Sequence, residues 1–277
     1  MKSIKDIKQF YDESTFRKLH GFIYSNDRIE YAWQSLIKVF ELSTTKRVLE
    51  IGCGIGEISF RLATNFKKIE FVGFDISEKS VSIANTLFPS SNLSFVRADT
   101  ITQIAFENKD KFDIIFMMDV FEHIPVEQRD GLLNFIKNNI TANGFVFLSC
   151  PTPQHLQYLN KNQPSEIQPV DEDISLDVLM SFSAHTGMRL ISYREISVWK
   201  GGDYFHTIFS NYLNMQPFTD FKMNKFLQPI GLKKELQKKI NQTIKLKDTK
   251  SLVDEKKQMI KSRLGEEILF KVETFGK

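Results

Sequence analysis

The stretch VLEIGCGIGEIS, residues 48–59, joins an apolar run to three glycines at alternate positions, Gly52, Gly54 and Gly56. This pattern predicts a strand followed by a loop whose backbone comes close to a ligand. Dinucleotide-binding loops use G-x-G-x-x-G, but here Glu57 takes the place of the third glycine. Glu57 would put a negative charge where a pyrophosphate has to approach the following helix. A phosphate-bearing ligand is therefore disfavoured, and a Walker loop is excluded because no G-K-[ST] follows.

Strand and helix patterns alternate along the chain on both sides of this loop. The strand patterns are KRVLEIG, IEFVGFD, LSFVRAD, KFDIIFMMD, NGFVFLSC and MRLISYREISVW. The helix patterns between them are GEISFRLATNF, SEKSVSIANTLF, QRDGLLNFIKNNI and SLDVLMSFSAHTG. Ser77 is a predicted N-cap and Gly187 a predicted helix stop. This alternation predicts an α/β fold with a mostly parallel sheet.

The two ends of the chain predict further helices. Two of them precede the first strand, at about residues 3–12 and 26–42. The segment DYFHTIFSNYL favours a helix over a strand because its apolar residues recur at helical spacing: Phe205, Ile208, Phe209, Tyr212 and Leu213. Basic helical segments are predicted to continue to about residue 264, with one stripe formed by Leu232, Leu236 and Ile240. The segment GEEILFKVETF then predicts a closing strand.

Composition and charge limit the class of protein. At 277 residues with 42% hydrophobic content, the chain can bury a sizeable core. Apolar runs stay shorter than the roughly 18 residues of a membrane span, which predicts a soluble, cytoplasmic protein. Cys53 and Cys150 are too few for a disulfide framework and are interpreted as reduced thiols. Residues 222–277 carry 15 Lys and Arg against 7 Asp and Glu, whereas residues 1–221 have a net charge of −5.

Acidic residues follow the predicted strands at the positions where a nucleoside would lie. Asp75 ends the second strand, and a carboxylate there can accept hydrogen bonds from both hydroxyls of a ribose. Asp99 ends the third strand and can accept a hydrogen bond from the exocyclic amine of adenine. Glu50 precedes the glycine loop, close to where a charged amino-acid-like part would sit. These residues predict a nucleoside ligand without a pyrophosphate.

The series VLEIGCGIG, GFDIS, RADT and FDIIFMMDVFEHIP resembles the class I S-adenosylmethionine-dependent methyltransferases over roughly residues 45–200. The resemblance implies S-adenosyl-L-methionine as cofactor, with S-adenosyl-L-homocysteine as product. It assigns the cofactor to the glycine loop and to the ends of strands 2, 3 and 4. The implied binding residues are Glu50, Gly52, Cys53, Gly54, Gly56, Asp75, Ile76, Asp99, Thr100 and Met118.

The same resemblance implies a Rossmann-like seven-stranded, mostly parallel sheet with strand order 3-2-1-4-5-7-6 and helices on both faces. With the closing strand as strand 7, the chain divides into four parts. Residues 1–44 form an N-terminal helical cap and 45–200 the cofactor-binding core. Residues 201–266 form a basic helical insertion between strands 6 and 7, expected to act as a lid, and 267–277 form the closing strand.

Histidines are the candidate bases for methyl transfer to a hydroxyl, since each can take a proton near neutral pH. His123, with Glu122 beside it, follows strand 4 at the rim where the methyl group should point. Related small-molecule methyltransferases use such a pair, although His123 could equally serve to order its loop. His206 opens the predicted insertion and is a second candidate, and His155 is a third rim position. His20 and His185 are interpreted as structural, and no cluster has metal-ligand spacing, so no metal is predicted.

The expected acceptor is a small molecule or glycan precursor. Nucleic-acid amino-methyltransferases place N-P-P-Y or D-P-P-Y after strand 4, but this chain has MMDVFEHIP there, which argues against nucleic acid. The basic C-terminal region predicts at most peripheral membrane contact. The segments from 149 to 206 resemble methyltransferases of bacterial surface-polysaccharide pathways, which implies O-methylation of a sugar or phosphate-bearing capsule or O-antigen precursor. Methylation of another small metabolite at N or O, a non-catalytic cofactor-binding module and a nicotinamide-dependent oxidoreductase are the alternatives.

Overall fold

The computed structural model describes residues 4–40, 45–103, 111–211 and 249–275. The strands are β1 Arg47–Ile51, β2 Glu70–Asp75, β3 Leu93–Arg97, β4 Phe112–Met118, β5 Ile140–Pro151, β6 Arg189–Ile196 and β7 Tyr204–Ser210. The helices are α1 Ile4–Glu13, α2 Thr15–Tyr24, α3 Asp27–Phe40, α4 Glu57–Asn65, α5 Glu78–Leu87, α6 Val126–Asn139, α7 Pro153–Asn162, α8 Leu176–Thr186, α9 Thr249–Leu264 and α10 Glu266–Glu273.

The seven strands form one sheet in the order β3-β2-β1-β4-β5-β7-β6, which confirms the predicted sheet. Strands β1 to β5 pair in parallel, and β7 runs antiparallel between β5 and β6. Successive strand residues face opposite layers because side chains alternate along a strand. Val48 and Ile114 pack beneath α3 and α4, whereas their neighbours Leu49 and Ile115 pack against α6 and α8. Helices therefore cover both faces.

Local signals explain several of the helix boundaries. The Ser77 side chain accepts a hydrogen bond from the Ser80 N–H at the start of α5, as the capping pattern predicts. Gly187 ends α8 in the left-handed conformation, with φ 75°. Before β1 the structure contains three helices rather than the two predicted, because residues 15–24 form α2 and bury Leu19, Phe22 and Ile23.

The location of strand 7 was predicted wrongly. The structure places it at Tyr204–Ser210, within the segment predicted to be helical, and every residue of it is buried. A strand covered on both faces has apolar residues at consecutive positions, so helical spacing can arise within it by chance. The predicted closing strand is instead helix α10, which packs with α9 on α2 and α5.

This correction removes the proposed insertion between strands 6 and 7. Strand β6 connects to β7 through the short turn 197–203, and the core of the sheet extends to Ser210. Helix α9 agrees with the helical prediction up to residue 264. The predicted stripe of Leu232, Leu236 and Ile240 lies outside the described residues. Within the described ranges, none of the helices combines the length and apolar character that crossing a bilayer requires.

Truncation of one phenylalanine in each segment tests this assignment of strand 7. Phe209 is 0% exposed and its ring centroid lies 4.3 Å from that of Phe182, whereas Phe270 on α10 is 65% exposed. We expect Phe209→Ala to lower the free energy of unfolding by about 3–5 kcal/mol. Phe270→Ala should change it by less than about 0.5 kcal/mol. Urea denaturation measures both, and equal losses would contradict the placement of β7 in the sheet.

Candidate active site

The glycine loop begins where β1 ends and is held against the end of β2. The N–H groups of Gly52 and Cys53 donate hydrogen bonds of 2.7 and 2.9 Å to the Phe74 carbonyl. Gly52 has φ 76°, and a Cβ at this position would lie 2.2 Å from Val120 Cγ2. Only glycine allows the loop to pass this close to the residues that follow β4. The loop backbone is therefore brought to the carboxyl edge of three strands.

The Asp75 carboxylate is fixed by two backbone hydrogen bonds. Its Oδ2 accepts from the Gly54 N–H at 2.7 Å and its Oδ1 from the Ser77 N–H at 2.8 Å. The residue is only 6% exposed, but it lines a large cavity. Each carboxylate oxygen has a second lone pair, so Asp75 can still accept hydrogen bonds from two ligand hydroxyls.

The Glu50 side chain connects the end of β1 to α4, the helix that follows the glycine loop. Its Oε2 accepts hydrogen bonds from the N–H and the hydroxyl of Ser59, at 3.1 and 2.5 Å. Burial raises the pKa of Glu50 to about 8, although the Ser59 bonds oppose the shift. Asp99 also lines the cavity, where its carboxylate pairs with Arg97. Both acids are thus at the positions that the sequence analysis assigned to cofactor binding.

The cavity above these residues has a volume of about 1010 Å³. Nine of the ten predicted cofactor residues line it: Glu50, Gly52, Cys53, Gly54, Asp75, Ile76, Asp99, Thr100 and Met118. The tenth, Gly56, does not line it. A Cβ on Gly56 would meet Phe95 Cζ at 2.4 Å, so this glycine allows α4 to pack against β3. The predicted set is otherwise brought together at one site.

The N-terminal helices form a wall of the same cavity, a role that the predicted helical cap did not include. Tyr11 of α1 and Lys18 of α2 line it. Helix α1 is anchored because Asp12 accepts hydrogen bonds from the Ser77 hydroxyl at 2.5 Å and from the Lys79 N–H at 3.3 Å. Arg28 of α3 forms an ion pair with Asp119 at the end of β4.

His123 and Glu122 lie in a short 3-10 turn directly after β4 and both line the cavity. The His123 Nδ1 lies 2.9 Å from Asp171 Oδ1 and 2.8 Å from the Val170 carbonyl oxygen. Both partners are acceptors, so Nδ1 carries a proton, and the second ring nitrogen, Nε2, lies 3.7 Å from Glu122 Oε1. The loop that supplies Asp171 is held to the turn because the Glu172 N–H donates to the Glu122 carbonyl at 3.0 Å.

Buried acidic side chains shift the pKa of the His123 imidazole. Burial lowers the pKa of His123, but the negative charges of Glu122 and Asp171 outweigh it and raise the pKa to about 9. Burial raises the pKa of Glu122 to about 7, while the nearby imidazole opposes the shift. Glu122 is 1% exposed, and neither of its oxygens has a hydrogen-bond partner among the described residues. Its Oε1 lies 3.7 Å from the His123 Nε2, so the carboxyl and the imidazole interact directly.

His206 was predicted to be catalytic, and this prediction is wrong. It lies within β7, 5% exposed, with Nδ1 2.7 Å from the Ser35 hydroxyl of α3 and its ring against Phe147. It does not line the cavity, because the strand places it beneath α3 and away from the rim. His155 does line the cavity, beside the ring of Tyr204.

Sequence reasoning missed several residues of the site. Asp171, Asp119, Arg28 and Tyr11 all line the cavity. Of these, Asp171 carried a detectable signal, since it belongs to the acidic run DED at 171–173 close to the resembling segment PTPQHLQY. In the described ranges, no group of three or more histidine, cysteine and acidic side chains is arranged to hold a metal ion. A metal-independent reaction stays a prediction.

Comparisons with known proteins agree with this geometry. Residues 49–146 match the family model of a methyltransferase domain. The ubiquinone biosynthesis O-methyltransferase of Bordetella bronchiseptica is 29% identical over 200 residues, which are 67% of this chain and 79% of that protein. The chain spans about half the length of other curated relatives that it matches: 53% of the Bordetella avium ubiquinone biosynthesis O-methyltransferase, at 28% identity over 50% of this chain.

Solved structures share the fold at low identity. Magnesium protoporphyrin IX methyltransferase from Synechocystis, with bound S-adenosylhomocysteine, has a TM-score of 0.57 at 19% identity, covering 74% of this chain and 99% of that one. The putative methyltransferase in a Haloferax volcanii complex with Trm112 has a TM-score of 0.58 at 14% identity, covering 76% and 97%.

The residues present fit S-adenosylmethionine. Gly52 lets the loop backbone line the cavity next to Val120, where a Cβ would collide, and Asp75 presents a fixed, buried carboxylate for a ribose. No basic P-loop residue is required, since the ligand has no phosphate. Residues 49–146 therefore match a methyltransferase domain, and the sheet around them has the fold of methyltransferases of known structure. S-adenosylmethionine is the cofactor of this domain.

Asp75→Asn tests the cofactor site. The substitution removes charge-assisted hydrogen bonds to the loop and to a ribose, so we expect the affinity for S-adenosylhomocysteine to fall about 10- to 100-fold. Isothermal titration calorimetry measures this loss. The matched control is Asp130→Asn on α6, which changes an exposed carboxylate and should leave the affinity unaltered. Equal affinity in the Asp75→Asn variant and the wild type would contradict the assignment.

Proposed function

We propose that the protein methylates a hydroxyl oxygen of a small acceptor, with His123 as the general base. The observation that carries the proposal is the His123–Asp171 pair, which lies in the cofactor cavity at the end of β4. Bound S-adenosylmethionine supplies an electrophilic methyl group on its sulfonium sulfur. A hydroxyl acceptor must lose its proton as it is methylated, and His123 is positioned in the cavity to take that proton.

The surrounding residues support this role for His123. Asp171 holds the imidazole in one tautomer and stabilises the imidazolium that forms when Nε2 takes a proton. Tyr11 and Glu122 line the cavity on either side of the ring, and the Tyr11 ring centroid is 6.3 Å from that of His123. The N-terminal helices contribute Tyr11, Arg17 and Lys18 to the cavity wall. Electrostatic interactions are stronger where protein groups replace water.

For the acceptor, we propose a sugar or phosphate-bearing group of a bacterial capsule or O-antigen precursor. The residue Glu122 lines the cavity, and a carboxyl group accepts hydrogen bonds from sugar hydroxyls, while Arg17, Lys18 and Lys200 line the same cavity and carry the positive charge that a phosphate needs. The relatives named for ubiquinone biosynthesis favour a second candidate, a hydroxyl on an aromatic ring. We further propose that the protein acts in the cytoplasm on a small molecule, without nucleic acid, with at most peripheral membrane contact.

Turnover of defined acceptors tests the proposal. Transfer of a labelled methyl group is measured with nucleotide sugars, sugar phosphates, catechols and a simple amine, and methylation of a hydroxyl acceptor is expected. His123→Gln should lower kcat by about 10²- to 10⁴-fold, because the general base is lost. It should leave S-adenosylhomocysteine affinity unchanged.

His185→Gln is the matched control, since His185 is half-exposed on α8 and does not line the cavity. Turnover equal to wild type in His123→Gln would exclude His123 as the base. Cofactor binding without turnover of any acceptor would favour the non-catalytic module. Methylation of the amine alone would overturn O-methylation.

The pH dependence of the reaction provides an independent test. A base must be deprotonated to act, so kcat/KM should rise with pH until the pKa of His123, which is raised to about 9. Asp171→Asn removes a charge that raises this pKa, so the acidic limb should move to lower pH. The alkaline plateau should also fall, because a weaker and less well oriented base remains. A limb that stays in place would show that another group titrates.

A further inference from the structure

The turn between β6 and β7, residues 197–203, is fixed by one buried carboxylate. Asp203 is 2% exposed. It accepts hydrogen bonds from the N–H groups of Val198, Trp199 and Lys200 at 2.8, 2.9 and 2.9 Å. Three such bonds to a charged group hold the backbone of an exposed turn in a single conformation. The turn is therefore preorganised rather than a loose connection.

Thr152 joins this turn to the start of α7. Its hydroxyl donates to the Gly202 carbonyl at 2.8 Å, and its N–H donates to the Asp203 carbonyl at 2.9 Å. The same side chain is the N-cap of α7, where it accepts from the His155 N–H. The 197–203 turn and the first turn of α7 thus form one rigid rim at the mouth of the cavity.

Two exposed side chains of this rim line the cavity. Trp199 lines the cavity, yet it is 55% exposed, with its ring edge-on to Tyr204 at a centroid distance of 5.8 Å. Lys200 also lines the cavity, and its Nζ lies 4.5 Å from the centroid of the Tyr158 ring. A cation–π contact positions the ammonium but leaves its N–H donors available to an anion.

We propose that Trp199 and Lys200 form the acceptor-binding rim of the enzyme, and that the acceptor is a ring compound with an anionic group, either a phosphate or a carboxylate. The inference rests on the proposed O-methyltransferase function and names its substrate class. The indole covers one face of the ring, and Lys200 pairs with the anion. Tyr204 continues the wall inward, since its hydroxyl hydrogen-bonds Arg28, the partner of Asp119 next to the 3-10 turn of His123.

The negative charge of one acidic side chain should weaken the binding of an anion. Removing that charge therefore tests whether the ligand is negatively charged. Glu166 lines the same mouth and is exposed, so solvent screens its charge. If an anion binds at this rim, Glu166→Gln should tighten its binding by about twofold, whereas the same change should not affect an uncharged ligand.

Equilibrium binding to the full chain, saturated with S-adenosylhomocysteine, tests the rim. The probes are two pairs that differ in charge: 3,4-dihydroxybenzoate with 3,4-dihydroxybenzamide, and glucose 1-phosphate with methyl glucoside. The chain has two tryptophans, so in a Trp33→Phe background fluorescence reports Trp199 alone. We expect the anionic member of at least one pair to bind about tenfold more tightly. Whichever pair shows this preference distinguishes an aromatic from a saccharide acceptor.

Variants assign the effect to the two residues. Lys200→Gln should remove the preference for the anion, Lys200→Arg should retain it, and Trp199→Ala should weaken both members of the pair, as measured by calorimetry. Lys161→Gln is the matched control, because Lys161 is exposed on α7 and does not line the cavity. Equal affinity for charged and uncharged probes, an unchanged preference in Lys200→Gln, or no binding of either anion at millimolar concentration would overturn the rim.

Failure of the rim and failure of the proposed function give different results. Anion-selective binding without methyl transfer to any acceptor would contradict the proposed O-methylation but support the proposed binding site. If methyl transfer has the same KM in the wild type, Trp199→Ala and Lys200→Gln, the proposed methyltransferase function is supported. The acceptor-binding role of the rim is then contradicted.

Discussion

The carboxylate of Asp75 is the point on which the site depends, because it joins elements that are distant in sequence. It binds the Gly54 N–H of the glycine loop and the Ser77 N–H at the start of α5. The Ser77 hydroxyl in turn donates to Asp12 of α1. One chain of hydrogen bonds therefore connects the cofactor loop, the sheet edge and the N-terminal helices. A ligand that binds Asp75 therefore also meets the cavity wall formed by the N-terminal helices. These hydrogen bonds fix the position of that wall.

Three acidic side chains, Asp119, Glu122 and Asp171, line the cavity near the end of β4, and neighbouring groups compensate their negative charges to different extents. Burial raises the pKa of Asp119, and the guanidinium of Arg28 opposes the shift by pairing with it. Asp171 is compensated by the imidazole of His123. The oxygens of Glu122, like those of Asp119 apart from its ion pair with Arg28, have no hydrogen-bond partner in the part of the chain that the structure describes. A buried carboxyl without a partner is costly unless a ligand supplies the missing hydrogen bond.

Sequence reasoning located residues correctly where their place follows from a parallel strand, and the roles predicted for them stay predictions. The glycine loop, Asp75 and His123 lie at the carboxyl ends of strands, and such ends meet at one edge of the sheet. It failed at β7, where burial on both faces removes the alternation that identifies a strand. That error also misplaced His206. Asp171 was missed because its partner is 48 residues away along the chain, a contact that local pattern does not encode.

The antiparallel direction of β7 explains why the chain turns back at the mouth of the cavity. A parallel strand would need a crossover to return to the amino edge before entering the sheet. Here β6 ends at the carboxyl edge and β7 starts there, so the chain turns back at the mouth of the cavity within residues 197–203. Of that turn, Trp199 and Lys200 line the cavity, and Asp203 fixes the backbone that carries them. The strand that pattern reading misplaced thus begins at the cavity, where its first residue, Tyr204, lines the wall.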